Sequence, residues 1–354
     1  MTDSSRPAGR SFRPPGSGRQ ILILAALTGG LFLAAGLALS LGRQDLTLME
    51  VWKLVWQKIT GQAADPAYRQ TEVVLFLIRL PRILMAFLVG AALSAAGAAY
   101  QALFRNPMVA PDILGVSSGA GVGASLAILL GMPALGLYLT AFVFGLGAVL
   151  LVLAVTRIAG HGKSLLVLIL VGVVVSSLFG ALGSFIKYLS ADDQTMTSMV
   201  LWLMGSFSRS GAWSSIGVMS LALVLGGGPL FLARWQINAL AFGEEEAQAL
   251  GVNFQKLKIL IILTSTLLTA SSVALCGLIG WVGLIIPHLV RFAAGPNFGQ
   301  LLPASMLGGG LFMLICDSFV RIGLPGEMPV GIVTSLLGAP LFIYILCRGR
   351  KVWI

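Results

Sequence analysis

Residues 113–156 read ILGVSSGAGVGASLAILLGMPALGLYLTAFVFGLGAVLLVLAVT, a run of 44 residues without a charged side chain. A helix needs about 20 residues to cross the hydrocarbon core of a bilayer, so this run is long enough to cross twice. Gly131, Met132 and Pro133 mark a turn between its two halves. The stretch therefore predicts two consecutive membrane-spanning helices.

Uncharged runs of membrane-spanning length recur along the chain, at 21–42, 83–104, 164–186, 210–233, 259–290, 292–316 and 328–347. The run at 259–290 is also long enough for two helices, with a turn near 276–280. Only 10% of the 354 residues are charged, too few for a water-facing surface. We expect an all-α polytopic membrane protein of about ten helices, with residues 20–350 as a single transmembrane domain. Residues 1–19, rich in Arg, Pro and Gly, are expected to form a disordered basic tail.

The distribution of basic residues predicts the orientation. With ten spans, 14 of the 23 Lys and Arg residues lie on the side of the termini and nine on the other side, six of them in one loop. Basic residues are enriched in short cytoplasmic loops. Both termini are therefore predicted to be cytoplasmic in a multi-pass cell (inner) membrane protein.

Two segments between the predicted spans are expected to form short helices, one at each face of the membrane. The uncharged stretch 194–208 is too short to cross, and we expect a short helix at the outer face, with Trp202 and Phe207 in an interfacial ring. Residues 239–253 are predicted to form a short amphipathic helix on the cytoplasmic face. Its apolar edge is Phe242, Ala247 and Leu250, its first turn carries Glu244, Glu245 and Glu246 after Gly243, and Gly251 ends it. Interfacial helices on an anionic leaflet usually carry Lys or Arg, so docking into a partner protein is favoured.

Several function classes find no support. Gly162 and Lys163 end like a phosphate-binding loop, but Arg157 occupies the position of its first glycine. The predicted spans carry almost no carboxylates, which disfavours an ion-coupled carrier. No nucleophile and base converge, and the three cysteines are not clustered, so we expect neither an enzyme nor a metal site. A transporter of this kind is passive or takes its energy from a partner.

Nine motifs of this chain follow one another in the same order as in a known family. On these motifs the sequence resembles the FecCD-type permeases, which include the vitamin B12, ferric-siderophore and haem permeases of bacterial ABC importers. They are RLPR at 79–82, GAAL at 90–93, QALFRNP at 101–107, LGVSSGAG at 114–121, WLMGS at 202–206, ALGV at 249–252, GWVGLIIPH at 280–288, PVGIVT at 329–334 and LGAP at 337–340.

The resemblance implies a type II ABC importer permease fold with ten helices per subunit, working as a homodimer with its path on the two-fold axis. It implies two ABC ATPase subunits, which use ATP and Mg while this chain binds no cofactor, and a periplasmic or lipid-anchored substrate-binding protein. Residues 239–253 would be the coupling helices that receive the ATPase motion. Arg79, Arg82 and Arg321 would dock onto glutamates of the binding protein; membrane-edge snorkelling is the alternative for Arg79 and Arg82.

The resemblance also implies a translocation path lined by the fifth span, the short helix after it and the tenth span. The candidate residues there are Ser176, Ser177, Ser184, Met196, Met199, Thr334 and Ser335. Small uncharged groups suit an iron chelate (siderophore or haem) or cobalamin moved by alternating access; a metal oxyanion is the alternative cargo. A passive channel or secondary carrier, and a receptor or scaffold, stay open as other classes.

Overall fold

In a computed structural model, the chain is described over residues 17–41, 47–61, 68–159, 164–190, 192–323 and 328–349. These residues form helices without strands, as the composition predicts. The helices are α1 (Ser17–Ser40), α2 (Leu48–Thr60), α3 (Arg69–Val73), α4 (Leu80–Leu103), α5 (Val116–Leu129), α6 (Ala134–Ile158), α7 (Leu165–Tyr188), α8 (Asp193–Leu203), α9 (Trp213–Leu232), α10 (Arg234–Ala239), α11 (Glu244–Ala249), α12 (Phe254–Cys276), α13 (Val282–Ala294), α14 (Phe298–Gly323) and α15 (Val330–Gly349). A π-helical turn, Val74–Arg79, joins α3 to α4 without a break.

Seven of these helices are long and apolar enough to cross a membrane: α1, the α3–α4 unit, α6, α7, α9, α12 and α14. Three shorter apolar helices, α5, α13 and α15, lie between or after them. Both turns predicted inside the longest uncharged runs are confirmed, because α5 ends at Leu129 before α6 begins at Ala134, and α12 ends at Cys276 before α13 begins at Val282. The chain is a multi-pass membrane protein, while the total of ten spans stays a prediction.

Local sequence signals explain several helix starts. Ser164, Asp192 and Asn253 each accept a hydrogen bond from a main-chain N–H of the next turn, at the starts of α7, α8 and α12. Such side chains satisfy N–H groups that have no partner within the helix. Of the predicted tail, residues 17–19 belong to α1, and the remainder lies outside the described residues.

Small residues allow close helix packing at the core. A Cβ on Gly119 would lie 2.5 Å from the carbonyl oxygen of Phe144, and one on Gly123 would lie 2.4 Å from that of Thr140. These close approaches show that small residues let α5 and α6 pack tightly. Gly115, four residues before Gly119, precedes α5 in a left-handed conformation. The core centres on α4, which packs against α9, α12, α13 and α14.

Two local predictions are wrong. Trp202 and Phe207 do not form an interfacial ring, because they are 3% and 1% exposed. Small residues such as Ala120 and Ala274 surround Trp202 and leave room for its indole ring. Residues 239–253 do not form a single helix: the chain runs through α10, a 3-10 turn at Leu240–Phe242 and α11, with Gly243 between the last two.

Candidate functional site

Three interruptions of helical structure meet at one place. The end of α8, the break between α12 and α13, and the start of α15 are joined by main-chain hydrogen bonds. The N–H of Ser206 donates to the carbonyl of Cys276 at 2.7 Å, and the N–H of Val330 donates to that of Gly205 at 2.9 Å. In lipid, an irregular backbone needs partners within the protein, and here each interrupted segment supplies them to another.

Glycine is required at this junction because the three backbones almost touch. A Cβ on Gly277 would lie 2.3 Å from the carbonyl oxygen of Trp202, and one on Gly205 would lie 2.4 Å from that of Leu278. A Cβ on Gly331 would lie 2.3 Å from the carbonyl oxygen of Met204. We call these three residues, 205, 277 and 331, the glycine junction. It holds the end of α8 against the start of α15.

A groove of about 460 Å³ opens beside the glycine junction. Its lining is apolar except for the hydroxyl of Ser335. The lining residues are Leu203, Met204, Leu278, Gly280, Gly331, Ile332, Ser335 and Leu336. The groove therefore offers a surface over which a bulky solute can pass without tight binding.

The residues predicted to line a path fall into two groups. Ser177, Ser184, Met196 and Ser335 are exposed in the single chain and Ser176 is partly exposed, whereas Met199 and Thr334 are fully buried. The two buried residues contribute no surface to a path in this conformation. The serine hydroxyls donate to carbonyls of their own helices, as Ser176 does to Gly172 at 2.7 Å and Ser335 to Gly331 at 2.8 Å. A path lined by these residues stays a prediction.

A carboxylate that the sequence reasoning did not consider lies next to this groove. Asp112 belongs to the non-helical segment between α4 and α5, which folds back along α4: its neighbour Pro111 meets the same face of Gly283 as the carbonyl of Leu93. Leu93 lies ten residues before the end of α4, about 15 Å along the helix axis. The segment is therefore re-entrant, and Asp112, which is exposed in the isolated chain, lies at the depth of the middle of α4.

Asp112 lines a second cavity, of about 280 Å³, together with Ser117, Thr269 and Trp281. Leu278 and Gly280 line both cavities, so the two are adjacent. Among the described residues that line them, no side chain is cationic. One sequence signal could have identified Asp112, because it is the only acidic residue between Glu72 and Asp192. Isolated ionisable groups inside membrane proteins are often functional.

The three arginines predicted to dock a partner are held inside the protein. The Arg82 guanidinium donates to a carboxylate oxygen of Asp317 at 2.9 Å, and that of Arg321 lies 3.1 Å from the other oxygen. Arg321 and Arg79 also donate to the last carbonyls of α1, at residues 38–40, where the helix dipole favours cations. Arg79 is only 5% exposed, and the side chains of Arg82 and Arg321 are 11% exposed. The structure thus corrects the expectation of exposed arginines, while docking stays a prediction.

The segment predicted to receive a partner presents two apolar side chains to solvent. Phe242 and Leu250 are 70% and 53% exposed, and Glu245 and Glu246 are also exposed. Ala247, assigned to the same edge, is fully buried and belongs to the core, which ties α11 to the bundle. Glu244 is partly exposed and accepts a hydrogen bond from Gln248. Gly251 ends this turn in a left-handed conformation, as predicted.

An all-helical membrane bundle whose broken helices meet beside an apolar groove has the architecture of a membrane permease. Residues 30–348 match the FecCD transport family, and the chain belongs to that family. It is the permease subunit of an ABC importer, a transport component and not an enzyme.

The proteins similar to this chain are named after different cargoes. The molybdate import system permease protein MolB of Haemophilus influenzae is 42% identical over 330 residues, covering 92% of this chain and 96% of that protein. The hemin transport system permease protein HmuU of Yersinia pestis is 37% identical over 334 residues, 91% of this chain and 96% of that protein. A solved metal-chelate type ABC transporter in an inward-facing conformation is 39% identical, with a TM-score of 0.81 over 93% of this chain and 99% of that one.

Proposed function

We propose that this chain forms one half of a homodimeric ABC importer permease that moves an iron chelate (siderophore or haem) or cobalamin into the cytoplasm by alternating access. The observation that carries the proposal is the groove of about 460 Å³ beside the glycine junction, which has a mainly apolar lining and is open to the outside of the chain. A second copy facing it would close the groove into a path. The exposed faces of α7 and α15, which hold Ser177 and Ser335, would line that path.

Energy would come from two partner ATPase subunits, which bind ATP and Mg while this chain binds no cofactor. Support comes from the exposed Phe242 and Leu250, with Glu245 and Glu246 between them, on the segment that links α9 to α12. An apolar pair beside carboxylates suits a cleft in a water-soluble protein better than an anionic lipid surface. The buried Ala247 would transmit motion of this segment to the core.

A substrate-binding protein would bind on the face of the permease opposite to the ATPase subunits and deliver the cargo there. Arg79, Arg82 and Arg321 of this chain would be the residues on which it docks. These arginines already contact Asp317 and the end of α1, so glutamates of the partner would have to compete with internal acceptors. Charge reversal of all three should weaken binding-protein association. The melting temperature of the variant must be measured beside the affinity, because the same change removes internal contacts.

The lining of the two cavities bears on the cargo. A bulky chelate can pass apolar walls, and its hydrogen-bond donors can meet Asp112 and Ser117. A small dianionic oxyanion would bring its whole charge close to a carboxylate and meet no cationic side chain among the described lining residues, whereas a bulky chelate can turn its uncharged parts toward Asp112. Two like unit charges 4 Å apart repel by about 4 kcal/mol at an effective dielectric of about 20. A molybdate-like oxyanion is the second candidate, because MolB is 42% identical to this chain.

Reconstitution with the cognate ATPase and binding protein tests the proposal. ATP hydrolysis should be stimulated by the loaded binding protein with a siderophore, haem or cobalamin, and less by molybdate. Stimulation by molybdate alone would select the oxyanion. Transport into vesicles without the ATPase would favour a passive channel or secondary carrier, and no transport under any condition would favour a receptor or scaffold.

A further inference from the structure

Helix α2, between the first and second predicted spans, has three lengthwise strips that follow from its turn of about 100° per residue. The inner strip packs Val51 and Leu54 against Leu75, with Leu39 of α1 at the edge of the cluster. A polar strip carries Glu50, Lys53, Gln57 and Thr60. The outer strip consists of Met49, Trp52, Trp56 and Ile59, which are 76%, 65%, 54% and 75% exposed.

The outer strip is unusual for a surface that faces water. Single exposed apolar residues are common on proteins, but here four large ones follow one another along one face. The indole rings of Trp52 and Trp56 stack with their centroids 6.4 Å apart. A capping box of Thr47 and Glu50 closes the start of the helix, and Gly61 in a left-handed conformation closes its end. The strip is therefore a fixed surface of a well-defined helix.

The position of α2 relates this surface to the membrane boundary. Helix α1 has 24 residues and is about 36 Å long, close to the thickness of the hydrocarbon core of about 30 Å. Its last turn, which contains Leu39, therefore reaches the membrane–water interface. Because α2 packs on Leu39, it lies at that level. Exposed apolar side chains continue beyond it, at Leu37 on α1, at Leu41 just after α1 and at Leu77 before α4.

We propose that α2 is an interfacial anchor whose outer strip is inserted among the lipids, with its polar strip toward headgroups and water. Tryptophan is enriched at membrane interfaces, where its ring is apolar and its N–H finds polar partners. Both lysines of α2 make contacts away from the lipid-facing strip. The Nζ atom of Lys53 lies 4.7 Å from the centre of the Tyr68 ring, and that of Lys58 lies 2.8 Å from a carboxylate oxygen of Glu72. The partner is thus a phospholipid surface, which the helix binds by its apolar side.

Site-directed spin labels test the proposal on the full chain in lipid nanodiscs. Cysteines would replace Trp52 or Ile59 on the outer strip, with Thr60 on the polar strip as the matched control. The background is Cys347→Ser, because Cys347 is exposed whereas Cys276 and Cys316 are buried. Labels at 52 and 59 should collide more with oxygen, which dissolves in lipid, than with the water-soluble nickel chelate Ni-EDDA. The ratio should reverse at position 60.

Nickel access at 52 and 59 equal to that at 60 would overturn the proposal. Shielding of the labels from both reagents, together with dipolar broadening between labels, would also overturn it. The outer strip would then face a second copy of the chain and not lipid. A measurement on the native helix complements the labels. Lipid brominated near the headgroup should quench part of the wild-type tryptophan fluorescence, and the Trp52→Phe/Trp56→Phe variant should lose that part. Equal quenching of both proteins would contradict insertion.

Discussion

Replacing Gly331 by alanine should force α15 away from α8 and impair transport. The added Cβ would lie 2.3 Å from the carbonyl oxygen of Met204 and 3.0 Å from that of Leu278, whereas ordinary contact begins at 3.4 Å. Both acceptors are main-chain atoms and cannot turn aside like a flexible side chain. The start of α15 must therefore retreat by about 1 Å or remain strained, a situation typical of over-packing.

The cost follows from the contacts at the glycine junction. The N–H groups of Val330 and Gly331 donate to the carbonyls of Gly205 and Met204 at 2.9 and 3.2 Å, and a shift of this size would weaken both bonds. Each is worth about 0.5–1.5 kcal/mol net, and over-packing adds about 1–3 kcal/mol. We expect the variant to lose about 2–5 kcal/mol of stability.

The assay compares the thermal melting temperature and cargo-stimulated ATP hydrolysis of Gly331→Ala with those of Gly280→Ala. Gly280 lines the same groove, but a Cβ added there has nothing within 4 Å. The first variant should melt earlier and hydrolyse ATP less in response to cargo, and the second should resemble the wild type. Equal behaviour of the two variants, whether both intact or both impaired, would refute the argument from close approach.

Three further changes give separate tests. The double variant Phe242→Ala/Leu250→Ala should lose cargo-stimulated ATP hydrolysis but keep the wild-type melting temperature, because both side chains are exposed; an unchanged hydrolysis rate would contradict their role in coupling. Asp317→Asn should lower the melting temperature, since losing one partner of a buried ion pair costs about 3–5 kcal/mol and leaves two guanidinium groups facing each other; an unchanged melting curve would contradict this. Asp112→Asn should slow chelate transport and speed any oxyanion transport, with the melting temperature of the wild type. If the variant transports each cargo at the wild-type rate, the carboxylate does not contact the cargo.

The membrane-spanning helices and the turns between them were predictable, because uncharged runs, Gly and Pro act within a short stretch of chain. The same holds for the helix ends at Asp192 and Gly251, where one residue satisfies or terminates the adjacent turn. Trp202 was misplaced for the converse reason. Its burial depends on alanines contributed by other helices, and nothing in the local sequence around it reports that space.

The ionic and re-entrant features of the site were beyond sequence reasoning for the same reason. The pairing of Arg82 with Asp317 joins residues 235 positions apart, so the sequence does not reveal it, and the expectation of exposed arginines rested on the family resemblance. The uncharged residues on either side of Asp112 do not show that its segment folds back along α4. The signal that was available is that Asp112 is the only acidic residue between Glu72 and Asp192, and that Asp317 directly follows the uncharged run 292–316.

The most direct test of the central claim is uptake of labelled cargo into vesicles that contain the permease, with and without its ATPase and binding protein. Partner-driven import predicts uptake only when both partners and ATP are present, and none when a non-hydrolysable nucleotide replaces ATP. Uptake by the permease alone, driven by the cargo gradient, would contradict the account.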